Sequence, residues 1–313
     1  MTAVIERLAR LKRIPTVSFH PQKSLRFSVR VLLATAVLIL ATSLFSYLTA
    51  PRIPILGFHG IQGLNNPQPG MTQTPIAPKM SYPQAEIEKL LDYLVSHHYW
   101  FLSAQELYDF FIAETQEIPP EHLGQKPILL SFDDSYKSVY QNLVPIFEKL
   151  EAKYGQKAKA VLFVNPGTLA QPNKPSTTYL SCNDLRAGFQ SGFYDIQSHG
   201  LNHKNLTQIS PADLTTELAA AQTQLRACLA GIAPPDAIAT HIAYPFGASN
   251  PQVEAATAHY YQSAFLYNSR ILRFCHLKNH YALSRLSVNQ AKSAQRLIEM
   301  AERSTVMQHQ HPC

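Results

Sequence analysis

From residue 53 onward, short apolar or β-branched runs alternate with stretches of helical periodicity. The runs IPILGF (53–58), YWFL (99–102), PILLSF (127–132), KAVLFV (159–164), FYDIQ (193–197), AIATHIAY (237–244), SAFLY (263–267) and ALSRLSV (282–288) have the length and branched or aromatic content of buried strands. Between the first two, Ile87, Leu90, Leu91 and Leu94 recur at i, i+3, i+4 and i+7, which predicts one buried face of a helix. Ser103 with Glu106 three residues on forms a capping box ahead of LYDFF. Ser210 and Pro211 open a further helix, which ELAAAQTQLRACLAG carries to Gly231 as its C-terminal cap. The segment 61–80, rich in Pro, Gly, Asn and Thr, predicts a long surface loop. Strand then helix, repeated seven or eight times without an internal linker, predicts a single α/β domain over 51–303 with a tail at 304–313. The expected architecture is a (β/α) barrel of seven or eight strands, incomplete or distorted, ahead of a doubly wound sheet.

One stretch breaks the alternation. VLLATAVLILATSLFSYLTA (31–50) carries no charge and has fifteen apolar residues of twenty, the length a bilayer core demands, and predicts a transmembrane signal-anchor helix. Residues 1–30 hold Arg7, Arg10, Lys12, Arg13, Lys23, Arg26 and Arg30 against Glu6 alone, which accounts for the whole net charge of +6. A basic arm on that side predicts a cytoplasmic N-terminus and an extracytoplasmic domain. The rival is a signal peptide cut after LTA, although Pro51 would then follow the cut. With the arm set aside the chain is neutral, so charge gives no footprint for nucleic acid. The four cysteines, Cys182, Cys228, Cys275 and Cys313, allow one or two disulfides outside the cell and three full pairings, among which spacing does not choose.

In folds of this kind ligands meet the residues just after each strand. Those are His59 and Gly60, Asp133 and Asp134, Asn165, Ser198 and His199, and Pro245 and Phe246. Two adjacent aspartates at the end of a buried strand repel and resist desolvation unless a cation or a hydrogen-bond network takes up their charge. His199 and His203 lie four apart directly after a strand; His276 and His280 share the spacing but follow none. One carboxylate and the first histidine pair make a three-ligand set with coordination positions left open, as in a catalytic zinc site. The neighbouring aspartate can then do chemistry beside the cation, provided the backbone turns at this pair.

SFDDS (131–135), SHGLNH (198–203) and YPFG (244–247) resemble, in order and spacing, the three main motifs of the polysaccharide deacetylases, the NodB-homology domain of carbohydrate esterase family 4. ILGFHGI (55–61) and MSYPQAEIEKLLDYLVSHHYWFLSAQEL (80–107) bring the likeness closest to the subgroup that de-N-acetylates poly-β-1,6-N-acetylglucosamine. The resemblance spans roughly 53–290 and implies Asp133 as general base, with Asp134, His199 and His203 holding a divalent metal, usually Zn2+. It implies the Phe246 backbone N–H as an oxyanion donor and His59 as general acid, with His276 and His280 as fallbacks. Three departures stand out: Ser135 replaces a usual Gly, Ala243 replaces the Arg that normally orients the base, and the fourth motif is absent, Trp100 being the only tryptophan. The implied function is metal-dependent N-deacetylation of N-acetylhexosamine residues in an extracellular or cell-envelope polysaccharide. The alternatives are a catalytically impaired carbohydrate-binding member, a deacetylase of peptidoglycan or chitin oligomers, or a two-carboxylate glycoside hydrolase, whose carboxyl spacing adjacent residues hardly supply.

Overall fold

The computed structural model describes residues 31–42, 50–63, 80–275, 277–311 and 313. The basic arm, residues 43–49 of the expected membrane span, most of the expected loop (64–79) and His276 lie outside the described residues. The chain divides into two units, Met1–Ala50 and Pro51–Cys313. In the first, residues 31–42 form helix α1, with Leu32, Leu33, Val37, Leu38, Ile39 and Leu40 exposed. Among the described residues no helix is long and apolar enough to cross a membrane.

The second unit is built on a parallel sheet. Its strands are β1 (Ile55–Phe58), β2 (Trp100–Phe101), β3 (Pro127–Phe132), β4 (Ala160–Val164), β5 (Tyr194–Ser198), β6 (His241–Ala243), β7 (Ser263–Phe265) and β8 (Leu286–Ser287). They run in the order β7-β6-β5-β4-β3-β1-β8, with β2 beside the start of β3. Every residue of β1, β3 and β4 is buried, which is why these strands read as continuous apolar runs rather than alternating ones. The segment around β8 bonds both edges of the sheet. Leu283 donates to Ala264 O at 2.9 Å and accepts from Leu266 N at 2.8 Å on the β7 side, while Val288 donates to Gly57 O at 2.9 Å on the β1 side. The sheet therefore curls into the expected distorted (β/α) barrel.

Around it pack α2 (Gln84–Ser96), the short α3 (Ala104–Leu107), α4 (Lys137–Tyr154), α5 (Cys182–Gln190), α6 (Pro211–Cys228), α7 (Pro251–Thr257) and α8 (Ala294–Ala301). Helix α2 buries Ile87, Leu90, Leu91 and Leu94, and the Ser103–Glu106 capping box is present at the start of α3. Helix α6 stops at Cys228, short of the expected cap; Gly231, at φ +80°, turns the chain three residues later. The strand expected over 237–244 shrinks to three residues because the chain before it enters a 3-10 turn at Pro235–Ala237 and a left-handed Ala239 at φ +50°. Disulfides join Cys182 to Cys228 and Cys275 to Cys313, which selects one of the three pairings. The expected tail is docked, Met307 accepting from Gly124 N at 2.7 Å and donating to Gln125 O at 3.0 Å.

Candidate functional site

Strand β3 runs into Asp133, whose N–H continues the ladder by donating to Phe58 O at 3.0 Å. Asp134 and Ser135 then take φ of +71° and +60°, so the turn begins one residue after Asp133 and both carboxylates face one end of the barrel. Left-handed backbone costs a non-glycine residue on the order of 1 kcal/mol. Ser135 offsets this where a glycine is usual: its buried hydroxyl accepts from Asn165 N at 2.8 Å. The departure at 135 is thus a substitution of one stabilising device for another.

From the end of β5, His199 donates its N–H to Val164 O at 2.8 Å, extending the parallel ladder by one residue. Its Nδ1 lies 2.8 Å from Ala243 O, and because a carbonyl only accepts, Nδ1 carries the proton and Nε2 presents a lone pair. That Nε2 is 3.4 Å from Asp134 Oδ1. His203, turned by φ +57°, brings its own Nε2 to 3.1 Å from the same oxygen. One donor atom from each of Asp134, His199 and His203 lies within 4.8 Å of the other two.

Asp134 Oδ1 is buried yet accepts a hydrogen bond from neither imidazole. A carboxylate oxygen and two imidazole nitrogens at this range need either protons or a cation between them, and the donor set suits a divalent metal with N and O ligands. Burial alone would raise the Asp134 carboxyl, but His199, His203 and His59 outweigh it and hold it well below the usual carboxylate range. Burial likewise would depress His199, and the carboxylates of Asp133 and Asp134 reverse this and raise it. The same anionic field attracts a metal.

Asp133 is held by a residue that the strand pattern did not single out. Arg285, fully buried, donates Nη1 to Asp133 Oδ1 at 2.7 Å and Nη2 to Oδ2 at 2.8 Å, a bidentate pair. Its Nη1 also reaches Ser131 Oγ at 3.1 Å and its Nε Leu266 O at 2.9 Å, with the rings of Phe163 and Tyr267 at 5.1 and 5.4 Å. Burial would raise the Asp133 carboxyl, and the guanidinium outweighs it and keeps the group ionised. Arg285 therefore supplies, from just before β8, the cation that Ala243 does not supply at the end of β6. The signal in the sequence was an arginine inside ALSRLSV, a charge in a run otherwise fit for burial.

His59, buried at the end of β1, comes within 3.9 Å of Asp134 Oδ2 through Nε2 and packs edge-on against Tyr267 at 5.3 Å. Its Nδ1 is buried with no hydrogen-bond partner among the described residues, and burial lowers its pKa against the pull of both aspartates. Phe246 is 66 % exposed at φ +59°, and its ring meets the His203 ring with centroids 4.6 Å apart, so this side chain lies beside the ligand set. His280 does not join: it packs against Tyr108 at 5.8 Å, a ring that also meets His241 at the start of β6, away from the site end.

Residues 121–264 match the model of the polysaccharide deacetylase family. A putative polysaccharide deacetylase of Bacillus subtilis, YxkH, is 25% identical over 168 residues, 54% of this chain and 49% of that protein. The chain thus matches about half the length of this curated relative. Among solved structures, a Streptococcus pyogenes deacetylase, PplD, in complex with acetate superposes with a TM-score of 0.64 at 25% identity, covering 81% of this chain and 99% of that one. A polysaccharide deacetylase from Bacillus cereus, BC0361, gives 0.63 at 19% identity, covering 80% and 69%, and IcaB from Ammonifex degensii gives 0.58 at 18%, covering 80% and 97%. The last two establish the fold alone. Together with the match over residues 121–264, they show that this barrel has the fold of the polysaccharide deacetylases it is similar to.

Proposed function

We propose that the domain is a metal-dependent N-deacetylase acting on N-acetylhexosamine residues of an extracellular or cell-envelope polysaccharide, poly-N-acetylglucosamine-like in linkage. The observation that carries this reading is the convergence of Asp134, His199 and His203 around one buried, unpartnered carboxylate oxygen beside the Arg285-clamped Asp133. Asp134, His199 and His203 would hold the cation, Zn2+ by donor type. When bound, such a cation polarises an acetamide carbonyl and lowers the pKa of water.

The chain's own groups divide the remaining work. Asp133, kept ionised by Arg285, accepts the proton of the attacking water through a lone pair that the guanidinium leaves free. His59 protonates the departing amine from the opposite edge of Asp134. The N–H of Phe246, whose ring packs on His203, stabilises the tetrahedral oxyanion. The poly-N-acetylglucosamine preference is supported by the ILGFHGI likeness, whose strand runs into His59. Acetate in the complex of the Streptococcus deacetylase is what deacetylation would release.

We further propose that residues 1–30 and 31–50 anchor the domain on the outer side of a membrane, a reading supported by the basic arm, the uncharged run and the two disulfides. The test of activity is acetate and free-amine formation from β-1,6 and β-1,4 N-acetylglucosamine oligomers and from peptidoglycan. The β-1,6 substrate should be favoured, and a chelator or Asp133→Asn should reduce turnover by at least about a hundredfold. Binding without turnover would identify a carbohydrate-binding protein instead, and new reducing ends a glycoside hydrolase.

A further inference from the structure

We propose that Glu217, on α6, is a positioning residue that fixes the ligand loop 199–203 in the shape that presents His203 to Asp134; this rests on reading that loop as metal-ligating. Glu217 is 1% exposed, and burying a carboxylate is costly unless donors satisfy it. Its donors all come from the loop. Leu201 N and Asn202 N reach Oε2 at 3.0 and 2.8 Å, and Asn202 Nδ2 reaches Oε1 at 3.0 Å. Lys204 Nζ stands 3.9 Å from Oε1 at the outer edge.

The loop depends on this carboxylate for a backbone reason. Gly200 at φ +73° and His203 at φ +57° bracket Leu201 and Asn202 in a shape belonging to no helix or sheet, so those two amides have no ladder to join. Glu217 takes both. The loop's carbonyls are taken from the other side: Gly167 N donates to Leu201 O at 2.9 Å, and Asn165 Nδ2 reaches His199 O and, at 3.2 Å, Gly200 O. A Cβ on Gly167 would lie 2.2 Å from Asn202 Oδ1 and 2.8 Å from Leu201 O, so the loop is seated directly on that backbone. Helix α6 delivers Glu217 reliably, because Ser210 caps it and Leu214 and Leu218 are buried beside Leu206, just past the loop. Without the carboxylate, two part-buried backbone amides lose their shared acceptor and the left-handed turn at His203 loses its restraint.

The test measures Zn2+ affinity of the full chain by competition with a chromophoric chelator. Glu217→Met and Glu217→Ala should bind about ten- to hundredfold more weakly, and Glu217→Gln, which keeps one acceptor oxygen, should fall between them and the parent. Because the effect runs through His203, adding Glu217→Met to His203→Ala should cost less than about twofold more. A purely structural role would repeat the full loss in that background and overturn the inference. So would parental affinity in the Met variant, or in the Gln variant should the others not fold, while His203→Ala is weakened. Parental affinity in His203→Ala itself would overturn the metal site and this inference together.

Discussion

At the scale of single residues, the ligand set was legible and the base's partner was not, for a physical reason. Asp134, His199 and His203 announce themselves because each directly follows, or lies within a few residues of, an apolar run. Asp133 and Arg285 are 152 positions apart, and nothing local to either one points to the other. Only an accounting of charge would have joined them: an arginine in one buried run requires a carboxylate, and the doubled aspartate in another has one to spare. The pair gives a sharp expectation. Arg285→Met leaves the Asp133 carboxylate buried without its cation and should lower stability by about 3–5 kcal/mol. The double variant Asp133→Asn with Arg285→Met should recover a large part of that, since no uncompensated charge remains. Urea unfolding of the three variants would read this out, and additive losses would mean that the two side chains do not act as a pair.

Among the elements, strands buried on both faces were found nearly to the residue, because a strand with no solvent face must be apolar throughout. The overlong reading of β6 has a different cause. Thr240 and His241 give their N–H groups to the Gln197 side-chain oxygen at 2.9 Å each, so a side chain replaces the ladder there, and β5 pairs with β6 only at Ser198 and Ile242. Hydrophobicity carries no trace of such an exchange. The short β8 likewise owes its place to bonds at both sheet edges rather than to its own length. Its seam leaves no room at Gly57, where a Cβ would meet the Tyr267 ring at 2.7 Å, while Tyr267 Oη donates to Gly57 O at 3.1 Å. Gly57→Ala should therefore displace Tyr267, which also packs on His59 and Arg285, and destabilise the domain by about 1–3 kcal/mol. Thermal unfolding would show it. An unchanged midpoint would mean the ring swings aside without cost.

On the scale of the whole molecule, what the sequence left open was set by tertiary packing: the cysteine pairing, and the tail that lies against residues 118–125 instead of hanging free. Each disulfide closes a span of 46 or 38 residues and, on the chain-entropy account, contributes about 4 kcal/mol. Against that background a single buried imidazole sets a measurable acid limit. His241 is fully buried, with Nδ1 2.8 Å from Ser263 Oγ and Nε2 3.0 Å from Gln105 Oε1, and burial pushes its pKa down to about 3 from an ordinary 6.5. As pH falls below 6.5 the unfolded chain takes up a proton that the folded chain refuses until about 3, so stability present above 6.5 is lost across that window. The slope approaches about 1.4 kcal/mol per pH unit. His241→Gln has no such proton to take up. Comparing parent and variant by denaturant unfolding at pH 7.5 and 4.5, the parent should lose about 2–3 kcal/mol more than the variant, because every other titrating group, the ligand set included, is common to both and cancels. Equal losses would mean that the imidazole finds water or a compensating charge in the folded state, and the packing of Gln105, Ser263 and Tyr108 around it would then have to open well before the barrel unfolds.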